Sequence, residues 1–346
     1  MKVILSGALS LIRYVVFFLL LFVVSPQLLF SGTVTNKKIF IVHSYHETQK
    51  GHVVEMTKGI IEALKVCQPD IRFFHMDTKR NNSIAWKTAA GEKASALMKD
   101  YAPDVVIAMD DNAQEYFVKN YIGNKDGPVF VFGGVNAKPA KYGFPAENIT
   151  GILERPNIRE SLALLLKIAP QVKNVVLLSD KSSTTDTFHD YAAQMDLPVN
   201  IIAQEQPKTV KEWENIIEKY RDVADAFGVY VIRTIKDTET GKMADEKSLI
   251  EYLNVRANKP TVGFFDSAAR AGVLCGISVS MEEQGYAAGN IACDILHGKK
   301  ATDITIQPTT RGRILLNLQT AEKLGVDINY SIIKNAQEVI NSSDET

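Results

Sequence analysis

Composition alone excludes several kinds of chemistry for this chain. It has three cysteines, Cys67, Cys275 and Cys293, none at metal-ligand spacing from another, which rules out a zinc scaffold and a multiply bridged secreted module. Lysine and arginine (39) are balanced by aspartate and glutamate (40) and form no runs, so the basic footprint that nucleic acid requires is missing. No Walker loop, nucleophile elbow or complete dinucleotide fingerprint occurs. One long apolar run exists, at residues 14–24, and it falls short of the roughly 20 residues that a bilayer-spanning helix needs.

That run dominates the start of the chain. Lys2 and Arg13 precede it and Ser25, Pro26, Ser31 and Gly32 follow, the pattern of a secretory signal over residues 1–32. No cysteine follows that would carry a lipid anchor. The expected location is periplasmic, with the segment either cleaved or kept as a tether to the inner membrane.

The remainder is a globular composition, 46% hydrophobic and 23% charged over the whole chain, and long enough for two lobes. β-branched and aromatic runs at 39–42, 71–76, 105–109 and 129–132 predict four strands. A second series at 175–178, 199–203, 227–232 and 261–265 predicts four more. Their near-continuous apolar character fits parallel strands covered on both faces, and alternation with helical patterns gives right-handed βαβ units. Thr209 with Glu212, and Ser280 with Glu283, read as capping boxes. The helix at 158–169 turns Leu162, Leu165, Leu166 and Ala169 inward before Pro170. The two series flank residues 149–153, so the expected fold is α/β, two Rossmann-like lobes with parallel sheets. Residues 335–346 read as a frayed end. The cysteines read as small buried thiols, the alternative being one disulfide with one thiol left over.

Ligands of open parallel sheets meet the carboxyl ends of the strands, so the loops there hold the candidates. After the first strand, Ser44, Tyr45 and His46 offer a hydroxyl, an aromatic face and an imidazole. His43, His46, Glu47 and His52 do not close into a metal site, and no metal or cofactor is expected. After the third strand, one of Asp111 and Asn112 is expected to cap the next helix while its neighbour faces the cleft, where a carboxylate suits an ammonium. Gly134 allows close backbone approach to a ligand, with Asn136 beside it. In the second series, Asp180, Ser182 and Ser183 head a helix whose free N–H groups suit a carboxylate. Arg233, Phe265 and Asp266 end later strands and complete a far wall. No pair of these groups has a spacing that catalysis demands, so binding is the simpler account. An exported hydrolase using Asp110, Asp111 or His46 is the enzymatic alternative.

Several stretches together, IVHSYH at 41–46, MDDNA at 109–113, VFGGVN at 131–136, ITG at 149–151, GISVS at 276–280 and LNLQTA at 316–321, resemble the substrate-binding proteins of ABC transporters, of the type I periplasmic-binding-protein fold. The resemblance covers residues 37–330. It implies a receptor hinged by several crossing strands, with a first lobe of 37–152 and 277–303, a second of 153–276 and 304–330, and a tail at 331–346. It further implies that 313–318 joins the second lobe, that Ser182 and Ser183 form a carboxylate-binding turn, and that Asp111 and Asn112 oppose it. Asp180 and Lys181 before the serines depart from that pattern. The function implied is to close on an amino acid or a small aromatic or heterocyclic compound and deliver it, as a monomer, to an ABC permease. Similar domains also sense ligands for a histidine kinase, which here would be a separate protein.

Overall fold

The computed structural model describes residues 37–47, 49 and 51–341, without the side chains of Ser183, Thr184 and Ala269; the signal segment expected at 1–32 and residues 342–346 lie outside the described residues. In chain order the first half comprises β1 (Lys38–His43), α1 (His52–Leu64), β2 (Asp70–His75), α2 (Ile84–Tyr101), β3 (Val105–Met109), α3 (Asp110–Tyr116), β4 (Val129–Val135) and β5 (Ile149–Leu153). There follow α4 (Ile158–Ile168), β6 (Asn174–Leu178), α5 (Ser183–Ala193), β7 (Asn200–Glu205), α6 (Val210–Tyr220), β8 (Ala226–Val229), α7 (Glu246–Ala257), β9 (Thr261–Gly263), α8 (Asp266–Ala271) and β10 (Cys275–Val279). The last part is α9 (Met281–Leu296), β11 (Gln307–Pro308), β12 (Gly312–Asn317), α10 (Leu318–Lys323), α11 (Tyr330–Lys334) and β13 (Glu338–Ile340).

Two sheets result, ordered β11-β5-β4-β3-β1-β2 and β13-β12-β10-β9-β8-β6-β7. Read from β1 and from β6, both follow the doubly wound order 2-1-3-4-5, which opens a crevice at the carboxyl ends of β1 and β3 in one and of β6 and β8 in the other. The first sheet is wholly parallel. The second is parallel except where β12 runs against β10. β13 extends it beside β12, so residues 338–340 are a strand rather than part of a frayed end.

Each sheet is covered on both faces, as the apolar strands require. On the first sheet, α2 and α3 pack around Phe117, Phe130 and Phe132, while α1 and α9 cover Ile39, Ile107 and Val131. On the second, α4 and α5 enclose Val175 and Leu177, and α6 and α7 bury Trp213, whose indole N–H donates to the Leu249 carbonyl at 3.1 Å. Burying such a ring fully stabilises the fold by about 2–3 kcal/mol. β2 and β7 lie at sheet edges and are half exposed, unlike the inner strands.

Helices α1 and α9 approach backbone to backbone. A Cβ at Gly285 would overlap the Met56 carbonyl, and one at Gly59 the Glu282 carbonyl. The same seam carries a disulfide between Cys67 and Cys293, so the expectation of three free thiols holds for Cys275 alone. Sequence could not select the pair, because the partners meet only once α9 has returned to the first sheet.

The chain passes between sheets after β5, after β10 and between β11 and β12. The return thus follows Val279 and the final crossing follows Pro308, later than the expected 277 and 304. All three passages meet at buried Gln284. Its amide donates to the Leu153 carbonyl at 3.3 Å and to Thr309 Oγ1 at 3.1 Å, and it accepts from the Gly134 N–H at 3.1 Å.

Candidate ligand-binding cleft

The first wall of the cleft is assembled at the carboxyl ends of β3, β4 and β5. Asp111 does not cap its helix. Its carboxylate accepts from the Asn136 and Ala137 N–H groups, both at 3.1 Å, and from the Tyr142 hydroxyl at 2.7 Å, and so pins the turn after β4. The cap comes instead from the residue after β1: Ser44 Oγ accepts from the Ala113 N–H at 2.8 Å and donates to the Met109 carbonyl at 2.7 Å. Asn112 donates to Thr78 Oγ1 at 2.9 Å. Arg155, beyond β5, turns its guanidinium onto the carbonyls of Val135, Asn136, Glu154 and Ala137 and lines the cavity.

An acidic group lies behind this wall. Asp110 is buried at a left-handed φ of +67°, and its Oδ1 meets His52 Nε2 at 3.0 Å, while Oδ2 has no hydrogen-bond partner among the described residues. Burial holds the Asp110 carboxyl above the ordinary range, against the pull of His52. Burial likewise draws the His52 imidazole down, but the bond and charge of Asp110, then Glu154, leave it above its usual value. Burial pushes the Glu154 carboxyl up to about 7. The Tyr45 hydroxyl faces the same acids and is raised by burial and by Asp110, Asp111 and Glu154.

The opposite wall is aromatic. Phe188 and Tyr191 come from α5, three residues apart and hence on one helical face. Tyr230, the first residue after β8, stacks on Phe188 with centroids 4.2 Å apart and planes at 13°. Phe265 stands edge-on to Tyr230 at 6.2 Å. Between the walls is a cavity of about 410 Å³, within the usual range for a small-molecule site. A larger concavity of about 740 Å³ lies between α1, the start of α9 and β12. Its lining is mostly charged, with Lys58 paired to Glu282 at 2.9 Å, and it holds no orphaned buried polar atom. The aromatic cavity is therefore the candidate site.

Of the sequence candidates, Asp111 and Asn136 line this cavity, while Phe265 supports its aromatic wall. Tyr45 faces its acidic backing. The others have different work. Ser44 is fully buried as the trans cap, Asn112 is held by Thr78, and His46 sits 3.5 Å from Asp77. Gly134 takes φ +66° where a Cβ would press on Met56 and Asp110, so it serves the turn rather than a ligand. Asp180 is buried and receives the Thr234 N–H at 2.9 Å, tying the end of β6 to the loop after β8. Ser182 forms a reciprocal capping box with Thr185, so its hydroxyl is committed to the helix; Ser183 begins α5 and its side chain lies outside the described residues. Arg233 pairs with Glu246 at 3.1 Å and Asp266 lies 3.8 Å from Arg313, both outside the cavity lining. The histidines near β1 diverge, His43 to Thr57 at 3.0 Å and His52 to Asp110.

Glu154, Arg155, Phe188, Tyr191 and Tyr230 were missed. Glu154 and Arg155 directly follow an apolar run that reads as a divider rather than as a strand with a carboxyl end. Tyr230 falls inside the strand expected over 227–232, whereas β8 stops at Val229.

Comparison with known proteins agrees with this architecture. The family description "ABC transporter substrate binding protein" matches residues 48–340. A tyrosine-binding protein of Clostridioides difficile (strain R20291) is 22% identical over 187 residues, 52% of this chain and 50% of that protein, so the match spans about half of each. The ligand-free, open structure of a substrate binding protein with adhesive properties from Clostridium difficile aligns with a TM-score of 0.64 at 16% identity, covering 88% of this chain and 100% of that one. That likeness shows the type I periplasmic-binding-protein fold. With nearly all of its described length matched, the chain belongs to the ABC transporter substrate-binding protein family.

Proposed function

We propose that this protein is a periplasmic receptor for an amino acid with an aromatic side chain, which it binds without chemical change and hands to an ABC permease. The observation that carries the reading is the stacked pair Phe188 and Tyr230 facing a wall of charged and amide groups across a cavity of small-molecule size. A flat side chain gains from the aromatic face, where a well-placed ring pair contributes about 0.5–1.5 kcal/mol beyond the area it buries. The zwitterionic end requires charged partners, and the first wall supplies both signs in Glu154 and Arg155. The relative that binds tyrosine, though distant, points to the same ligand class. Members of the family work outside the cytoplasm, and among the described residues no helix is long and apolar enough to cross a membrane.

Closure follows if the ligand contacts both walls, because a ligand with equal affinity for open and closed states shifts neither. Isothermal titration calorimetry of the purified chain against tyrosine, tryptophan and phenylalanine tests the reading, together with native mass spectrometry of any co-purified molecule. Binding of one of these, recovered unchanged on denaturation, is the expected result. A co-purified sugar or phosphate compound, with no response to the amino acids, would overturn it.

A further inference from the structure

Glu154 lines the cavity and is unsatisfied. Its Oε2 is buried and has no hydrogen-bond partner among the described residues. A carboxylate oxygen in that position either carries a proton or awaits a donor. The neighbours explain why the protein itself supplies none. Arg155, the next residue, spends its guanidinium on backbone carbonyls. His52, at the start of α1, is drawn to Asp110 instead, with Lys79 acting on that pair from the loop after β2. Asp110 and Asp111, at the end of β3, repel a charge on Glu154, while His52 and the Asn136 amide after β4 favour it. From the loop after β1, Tyr45 faces the same acids, and across the cavity Tyr230 feels the Glu154 charge.

We propose that Glu154 is the specificity-determining residue for a ligand bearing a primary ammonium group, and that it accepts this ammonium in exchange for its own proton. The inference rests on the cleft being the ligand site. The exchange balances: a neutral carboxyl gives its proton to solvent, the ammonium donates to the carboxylate oxygen left behind, and the total charge is unchanged. The carboxyl held near 7 places this exchange at neutral pH. Affinity for an amine then rises with pH through that value. His52 acts in the same direction, because losing its proton removes a positive charge near Glu154 that competes with the ammonium.

The test is calorimetry of the full chain and of Glu154→Gln with L-tyrosine, tyramine and 3-(4-hydroxyphenyl)propionate. Titrations at pH 6 and pH 8, and in two buffers of different ionisation enthalpy at pH 7, read the proton count. The wild-type protein should bind tyrosine about tenfold more tightly at pH 8 than at pH 6 and release roughly half a proton at pH 7. The propionate should bind at least about 100-fold more weakly than tyrosine at pH 8. Glu154→Gln, with an unchanged melting profile at pH 6, should lose the proton release and most of the pH dependence. Equal tyrosine affinity in Glu154→Gln, equal affinity for the propionate, or proton release that survives the substitution overturns the inference while leaving the cleft assignment standing. If tyrosine binding also survives Tyr230→Ala, or no probe binds the wild-type protein, the cleft assignment fails and the inference with it.

Discussion

Cys67 and Cys293 are bonded to each other 226 residues apart in sequence, their Cα atoms 5.8 Å apart. The bond joins the chain just beyond α1 to the last turn of α9, at the end of the seam where the two helices lie backbone to backbone. It encloses the whole second sheet's main segment in its loop. Replacing both cysteines with serine should cost about 2–4 kcal/mol of stability, read by denaturant unfolding of the variant against the oxidised protein. Leu64, where α1 ends before Cys67, lies roughly 18 Å along the helix from His52 at about 1.5 Å per residue, so ligand affinity should be unaffected.

The same seam makes a second prediction. Gly285 has no room for a Cβ beside the Met56 carbonyl, which belongs to backbone and cannot rotate away. Gly285→Ala should force α1 and α9 apart and destabilise the protein by about 1–3 kcal/mol, despite alanine's better helix propensity. A melting temperature equal to or above that of the native protein would show that the helices are not so closely seated.

Tyr230 contributes its ring both to the core of the second lobe and to the cleft. Truncation at an anchoring aromatic typically costs at least about 2 kcal/mol of binding, so Tyr230→Ala should weaken tyrosine binding by about 30-fold or more. Tyr230→Phe keeps the stack on Phe188 and should retain most of the affinity. Calorimetry of the two variants separates the ring from its hydroxyl.

Without ligand, Glu154 should lower stability as pH rises through 7. It holds its proton more tightly when folded, at about 7 against an ordinary 4.5, so its contribution is fully present below 4.5 and is lost as pH climbs through about 7. His52, raised above 6.5, contributes stability that is fully present below 6.5 and is lost as pH climbs through its folded value. His43, lowered to about 3 by burial and by His75 and His52, has the opposite sign: it binds protons better unfolded, so its contribution is lost in acid and offsets that of Glu154 between about pH 4.5 and 6.5. Thermal melts of the native protein and of Glu154→Gln between pH 5 and 8 isolate the carboxyl: relative to the variant, the native protein should lose stability as pH rises through 7.

The strands were legible because buried parallel strands are continuous apolar runs. Ile39, Val105 and Val129 mark theirs, and Val175 marks the first of the second sheet. The cleft was harder to read, because polar residues at strand ends serve two purposes that sequence does not separate. Ser44, Asp180 and Ser182 look like ligand groups and instead satisfy backbone N–H groups that packing hides from water. The residues that do face the cavity include Phe188 and Tyr191, which on sequence alone belong to the face of an ordinary helix. Only the turn of α5 toward the other sheet reveals them.

Gln284 gives the three interlobe passages a shared bearing. Its side chain holds Leu153 on the first passage and Thr309 on the third, and it stands itself just past the second. Three separately anchored connections would let the second lobe rock in several directions. Fastened to one buried amide, they favour a single rotational degree of freedom between the two sheets.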